Sequence, residues 1–216
     1  MKKLKIVNYK KFFRFIILLA IIIFLLFKLP SFLHEPKDNI PDKKESNSTL
    51  EKKSSTIHMS VIGDIMSHST NFKNAYNSST KDYDFSNTFT NISSYIKDAD
   101  IAVGNLETTF AGKSRGYSGY PTFNTPEALG KNIKDLGIDV LSTANNHCMD
   151  KGYSGLESTL NFLDEFGISH TGTSRSKEEQ NTILVKDVNG IKIAFLSFTY
   201  GTNGISIPTD KSYSVN

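Results

Sequence analysis

Three short polar clusters carry the residue types that do chemistry. Asp64 stands in VIGDIMSHS, Glu107 in VGNLET, and Asn145, Asn146 and His147 in STANNHCMD, with Asp150 three residues past the histidine. Carboxylate and amide oxygens together with an imidazole suit a divalent transition metal such as Mn, Fe or Zn. The single Cys148 excludes an internal disulfide and a cysteine-based zinc site. Each residue also has a plainer reading. An Asp after a strand closes a turn or caps a helix, Glu107 can sit in a surface loop, and paired asparagines tolerate left-handed turns. His147 can be a packed imidazole, and Asp150 can cap a helix that starts near Tyr153. Cys148 and Met149 read as packing residues. His68 could reach a metal or lie exposed, while His58 and His170 read as structural. The joint reading gains its weight from position, because each cluster follows an apolar run.

Those runs are the elements that must position the clusters. Residues 57–63 read as a strand ending at Asp64, 101–103 as a strand running into Glu107, and 138–142 as a strand running into Asn145. Between them, Phe85, Phe89, Ile92 and Ile96 predict an amphipathic helix over 84–97, and Pro126 opens a helix that Gly137 stops. Leu156, Leu160 and Leu163 share one face of a helix over 153–166, ended by Gly167, and a short strand follows near Ile168. Residues 182–188 and 191–198 flank Asn189-Gly190, a hairpin signal. Strand–helix alternation predicts an α/β fold with a largely parallel sheet. Right-handed crossovers then bring the strand C-termini to one edge, where such sheets hold ligands. The segment 116–124, GYSGYPTFN, reads either as a loop over that edge or as a surface loop with a buried Phe123.

Charge divides the chain. Residues 1–53 hold 12 Lys/Arg and 5 Asp/Glu, whereas 54–216 hold 13 and 17. The globular part is therefore mildly acidic, which argues against a nucleic-acid partner. Basic residues precede a polar-free run, FIILLAIIIFLLF, from Phe15 to Phe27. No small-residue cleavage pattern follows it, so an uncleaved anchor is expected rather than a signal peptide. The expected organisation is a cytoplasmic basic tail (1–11), a transmembrane anchor (12–30), a polar tether (31–56) and an outer domain (57–216). That places the chain in the cell membrane as a single-pass protein with its globular part outside.

The order VIGDIM, ADIAVGNLET, GIDVLSTANNHCMDKGYSGLESTLNFLDEFGISHTGT and GIKIAFLSFTYGTN closely resembles the bacterial capsule-synthesis CapA/PgsA family, over about residues 57–204. The ANNH-x-x-D-x-G element with the GL-x-x-T-L that follows is the specific part; GD and NLE alone are weak. That family resembles a divergent branch of the calcineurin-like metallophosphoesterases. The resemblance implies a four-layer α-β-β-α sandwich, preceded here by the membrane anchor. It implies a divalent, dinuclear metal centre in which Asp64 binds the first metal, Glu107 bridges and Asn146 binds the second through its amide oxygen. It makes His147 a general acid or transition-state donor, oriented by Asp150. Two departures matter. Met66 stands where a phosphoesterase places a histidine, with His68 two residues further on. The family's later histidines, in an HWG-type element and a His-rich loop, are not reached by Asn216. The domain is therefore expected to be incomplete at its C-terminus, with the apolar face of the 191–198 strand uncovered.

Three functions from different classes follow as expectations. The first is a membrane-anchored protein assisting synthesis or export of poly-γ-glutamate or a related surface polymer, with membrane and other capsule-synthesis proteins as partners and an anionic polymer as ligand. The second is an extracellular metal-dependent phosphoesterase or hydrolase. The third is a non-catalytic polymer-binding scaffold.

Overall fold

The structure, a computed structural model, describes residues 54–216. The expected basic tail and anchor, and nearly all of the expected tether, lie outside the described residues. Among the described residues no helix is long and apolar enough to cross a membrane.

Strand β1 (Met59–Ile65) leads into helix α1 (Ser69–Ala75) and the small hairpin β2 (Tyr76–Asn77) and β3 (Asp82–Tyr83). A 3₁₀ segment, Ser86–Ile92, passes into α2 (Ser93–Lys97). Then follow β4 (Ile101–Leu106), α3 (Ala128–Leu136), β5 (Val140–Ser142), α4 (Gly152–Glu165) and β6 (Ser169–Thr171). Helix α5 (Lys177–Gln180) precedes the hairpin β7 (Leu184–Val188) and β8 (Ile191–Phe195). The strands β1-β4-β5-β6, in that order, form one parallel sheet; the two hairpins form separate two-stranded sheets. The expected α/β class with a parallel sheet is thus observed.

One face of the sheet supplies Ala102, Leu106 and Leu141 to a core shared with Leu129, Ile133 and Leu136 of α3 and Leu156, Leu160 and Leu163 of α4. Those helix positions recur every three to four residues, which is why the sequence forms helices there and why they bury this stripe. Cys148 and Met149 join the same core, and burial pushes the Cys148 thiol up to about 11, so it is a packing residue rather than a nucleophile. Gly137, in a left-handed conformation, ends α3 with its N–H donating to Ile133 and Lys134 carbonyls.

Two expectations are corrected. Asp64 does not follow the first strand but lies within β1, which runs on to Ile65. The helix over 84–97 is replaced by the 3₁₀ segment and a five-residue α2. Its stretch Ser86-Asn87-Thr88-Phe89-Thr90-Asn91 is built from weak helix formers, so the apolar spacing survives without the α-helical hydrogen bonding.

The Asn189-Gly190 turn closes β7 and β8 with both residues at positive φ, 53° and 81°. Along β8, Ile191, Ile193 and Phe195 are half-buried, but Leu196 and Phe198 just beyond are 67% and 69% exposed. Gly172 is the tightest approach on this side. Its φ is +112°, and an added Cβ would lie 2.7 Å from the Ala144 backbone nitrogen and 2.7 Å from Ser197 Oγ. Leu160, 1% exposed, belongs to the core under α3 and α4. Leu160→Ala should lower the urea-unfolding free energy by about 2–5 kcal/mol. An unchanged unfolding midpoint would show that α4 does not close this core.

Candidate functional site

Asn105, one residue before the end of the interior strand β4, bonds to a member of each of the three clusters. Its Nδ2 donates to Asp64 Oδ1 at 2.7 Å and to Glu107 Oε2 at 3.0 Å. Its Oδ1 accepts from Ser142 Oγ at 3.0 Å and Asn145 Nδ2 at 3.2 Å. The path of β1 makes this arrangement. Ile62 pairs with Gly104 and Ile65 with Leu106, so Gly63 and Asp64 together oppose Asn105 alone. Strict alternation would put Asp64 on the core side with Ile62. The extra residue moves it onto the face of Asn105 and returns Ile65 to the core.

Glu107 leaves the strand immediately after Leu106, with its N–H donating to the Ile65 carbonyl. Burial first, then the hydrogen bonding and charge of the neighbouring Asp64, push the Glu107 carboxyl above the ordinary carboxylate range. His147 and the Asn105 amide act in the opposite sense. Two carboxylates held on one neutral amide make a place where positive charge is favoured. The donor set fits a hard divalent cation in chemistry, although no group of three or more His, Cys, Asp or Glu side chains converges for a metal among the described residues.

The third cluster divides. Asn145 turns inward; its Nδ2 also donates to the Leu106 carbonyl at 2.8 Å, and its Oδ1 accepts the His147 N–H at 3.1 Å. Asn146 turns the other way, with Nδ2 donating to Asn203 Oδ1 at 3.2 Å. It makes no hydrogen bond to Asp64, Asn105 or Glu107 among the described residues. Asn145, a member of the third cluster to which the sequence assigned no ligand role, is thus the asparagine joined to the carboxylate pair through Asn105.

His147 and Asp150 form a buried pair, Nδ1 to Oδ2 at 2.8 Å. Asp150 Oδ2 also accepts the Phe123 N–H at 2.6 Å. Phe123 is 1% exposed and packs edge-to-face between His147, at 4.7 Å, and His68, at 5.0 Å. The segment 116–124 therefore satisfies both of its sequence readings: Phe123 is buried, and Tyr120, Pro121 and Thr122 border a cleft of about 410 Å³ with Asn146, His147, Asp150 and Asn203. His68 precedes α1 and accepts through its carbonyl from Asn71 and Phe72. Met66, two residues after Asp64, brings a thioether in place of a ring nitrogen. Asn105, Ser142 and Asn203 were not singled out from sequence. An asparagine inside an otherwise apolar strand was the available signal for Asn105; nothing in the local pattern marks Asn203.

A carboxyl whose pKa is raised in the fold binds its proton more tightly there. Its stabilising contribution is present at low pH and is lost as pH rises through the folded pKa. Without added cation, Glu107→Gln should therefore raise the melting temperature at pH 7 and flatten the stability loss between pH 4 and 7. A lower melting temperature at pH 7 would mean that the charged pair is not repulsive.

The description "Bacterial capsule synthesis protein PGA_cap" matches residues 58–215. The chain is 29% identical over 149 residues to "Capsule biosynthesis protein CapA" of Bacillus anthracis, covering 66% of this chain and 34% of that protein. It is 37% identical over 70 residues to "PGA biosynthesis protein CapA" of Bacillus subtilis (strain 168), covering 32% and 18%. An uncharacterized protein y4sH of Sinorhizobium fredii is 31% identical over 116 residues, 50% of this chain and 25% of that protein. The matched region spans about a third or less of each of these relatives.

Proposed function

The chain belongs to the bacterial capsule synthesis protein family PGA_cap, and from that premise we propose that it is a membrane-anchored, cell-surface protein assisting synthesis or export of poly-γ-glutamate or a related anionic polymer. The observation that carries the reading is the pair Asp64 and Glu107, held by Asn105 at the strand edge beside the His147–Asp150 pair. Under this proposal Asp64 and Glu107 hold a divalent cation, and Asn146, whose side chain is turned toward Asn203, would add its amide oxygen by reorienting toward them. Such a cation supplies positive charge against an anionic polymer and, in hydrolytic chemistry, a lowered pKa for bound water. The polybasic N-terminus and the run at 15–27 support the anchor. The other capsule-synthesis membrane proteins remain the proposed partners.

A second reading, a metal-dependent hydrolase, is favoured by one specific feature. Asp150 Oδ2 accepts a hydrogen bond from His147 Nδ1–H, and no hydrogen bond engages Nε2 among the described residues. In a cleft, that leaves Nε2 free to hold or release a proton at a leaving group. The same pair also serves a scaffold by tying Phe123 to the 145–150 turn.

Calorimetric titration of the full chain with Mn²⁺ should show binding that Asp64→Ala or Glu107→Ala weakens at least about 10-fold, since each removes a charged donor. Unchanged binding in both variants would remove the cation site. Polymer function is read separately: cells producing Asp64→Ala protein in place of the natural one should carry less surface-bound anionic polymer, by electrophoresis of surface extracts.

Topology has its own test. Protease added to intact protoplasts should degrade the outer domain and leave only a short membrane-protected N-terminal piece. Protection of the whole domain would place it inside the cell.

A further inference from the structure

Asn203 lies outside every motif that marks the site, yet it touches two members of the third cluster. Its Oδ1 accepts from Asn146 Nδ2 at 3.2 Å, and its Nδ2 lies 3.4 Å from His147 Nδ1. Fifty-seven residues separate Asn203 from Asn146. It is delivered by a tight turn, in which the Ile205 N–H donates to the Thr202 carbonyl at 2.9 Å and Thr202 Oγ1 donates to the Ile205 carbonyl at 2.6 Å. Asn203 and Gly204 both have positive φ, 52° and 78°, a pairing that Asn-Gly adopts readily. The turn is anchored beyond itself, because the Thr199 N–H donates to the Asn216 carbonyl and the Asn216 N–H to the Gly172 carbonyl, each at 3.0 Å.

We propose that Asn203 is a positioning residue for this site, fixing the sense of the Asn146 side-chain amide so that Nδ2 is held and Oδ1 is the free acceptor. The proposal rests on the cation reading above only for what Oδ1 then meets. An amide pair has two senses. In the opposite one, Asn203 would donate and Asn146 Oδ1 would be consumed as the acceptor, which is useless for a cation. The His147 contact does not decide between them. With Nδ1 donating to Asp150 at 2.8 Å, its 3.4 Å approach to Asn203 Nδ2 is a contact between two donors and no hydrogen bond, so the 3.2 Å bond to Asn146 alone carries the sense.

Substitution by Gly and by Asp separates the two senses without backbone strain, since both residues accept positive φ. Asn203→Asp can only accept at its side chain and keeps the bond if Asn146 donates; Asn203→Gly removes the bond. The experiment uses full-length chain with ¹⁵N-labelled asparagine, in which the Asn146 side-chain NH₂ signal is identified by its loss in Asn146→Ala. Without metal, that signal should move toward the position of a solvent-exposed amide in Asn203→Gly and stay shifted in Asn203→Asp. In parallel, Mn²⁺ affinity should fall about 10–100-fold in Asn203→Gly. Because the carboxylate of Asn203→Asp itself attracts Mn²⁺, the amide signal decides for that variant. An Asn146 signal unmoved in Asn203→Gly, or moved equally in both variants, overturns the proposal. If the natural chain binds no Mn²⁺, the cation reading fails and the amide signal alone still decides the positioning role.

Discussion

Asn105 offers one amide to four partners on three strand ends, and the polar half of this domain is arranged around it. Its donor side meets Asp64 and Glu107, and its acceptor side meets Ser142 and Asn145. A neutral amide satisfies the hydrogen-bonding needs of two carboxylates but cannot cancel their charge. Burial first, and then this neighbouring charge, hold the Glu107 carboxyl above the ordinary carboxylate range, while Asn105 itself favours its ionised form. The sheet pays attention to this residue elsewhere too. Gly104 beside it leaves no Cβ, and one added there would come within 2.8 Å of Ile65 Cδ1 and 3.2 Å of Leu141 Cδ2. The close strand packing that glycine permits, and the extra residue in β1, together decide that Asp64 arrives on the polar side.

A second centre, Asp150, works by the opposite logic. It is a carboxylate with almost no exposure, so it needs donors, and the His147 ring and the Phe123 N–H provide them. The bond to Phe123 is what couples a loop between β4 and α3 to a turn between β5 and α4. The loop is also shaped from within. Asn124 Nδ2 donates to the carbonyls of Gly112 and Gly116, and its Oδ1 accepts the Ala111 N–H. Asn145 links the two centres, since its side chain reaches Asn105 on one side and the His147 N–H on the other. The two centres are therefore joined by hydrogen bonds rather than through the apolar core.

How much of this was legible in the sequence depends on the range of the forces involved. Helix α4 was legible because Leu156, Leu160 and Leu163 report its buried face within one segment, and the β7–β8 turn because Asn189-Gly190 reports its backbone conformation. Helix α1 was not, because Phe72 is its only buried residue and the rest of STNFKNA is polar. The 84–97 segment misled because apolar spacing was present where helix propensity was poor. At the site, the strand-end positions of Glu107 and Asn145–His147 were legible, whereas the placement of Asp64 depended on a register irregularity that only pairing with β4 reveals. Apart from the bond of Asn105 to Glu107, Asn105 and Asn203 act through contacts across 37 to 57 residues, and no local periodicity encodes such partners.

The departure at Met66 bears on which cation the proposed site would favour. In the resembling phosphoesterases a histidine follows the first aspartate by two residues; here a thioether stands there. His68 is not a substitute, because its ring packs edge-to-face on Phe123 at 5.0 Å and its carbonyl is occupied at the start of α1. His147 is engaged with Asp150. What gathers around Asn105 is therefore carboxylate, amide and hydroxyl oxygen, without imidazole or thiolate. Oxygen-only sets of this kind select harder ions such as Mg²⁺, Ca²⁺ or Mn²⁺ over Zn²⁺, whose preference for nitrogen and sulfur donors is stronger. Of the Mn, Fe and Zn expected from the residue types alone, Mn is the one this chemistry favours. Under the proposal above, a hard ion between the two carboxylates would suit the bridging of an anionic polymer's carboxylates at least as well as catalysis. That keeps the capsule-assembly reading ahead of the hydrolase.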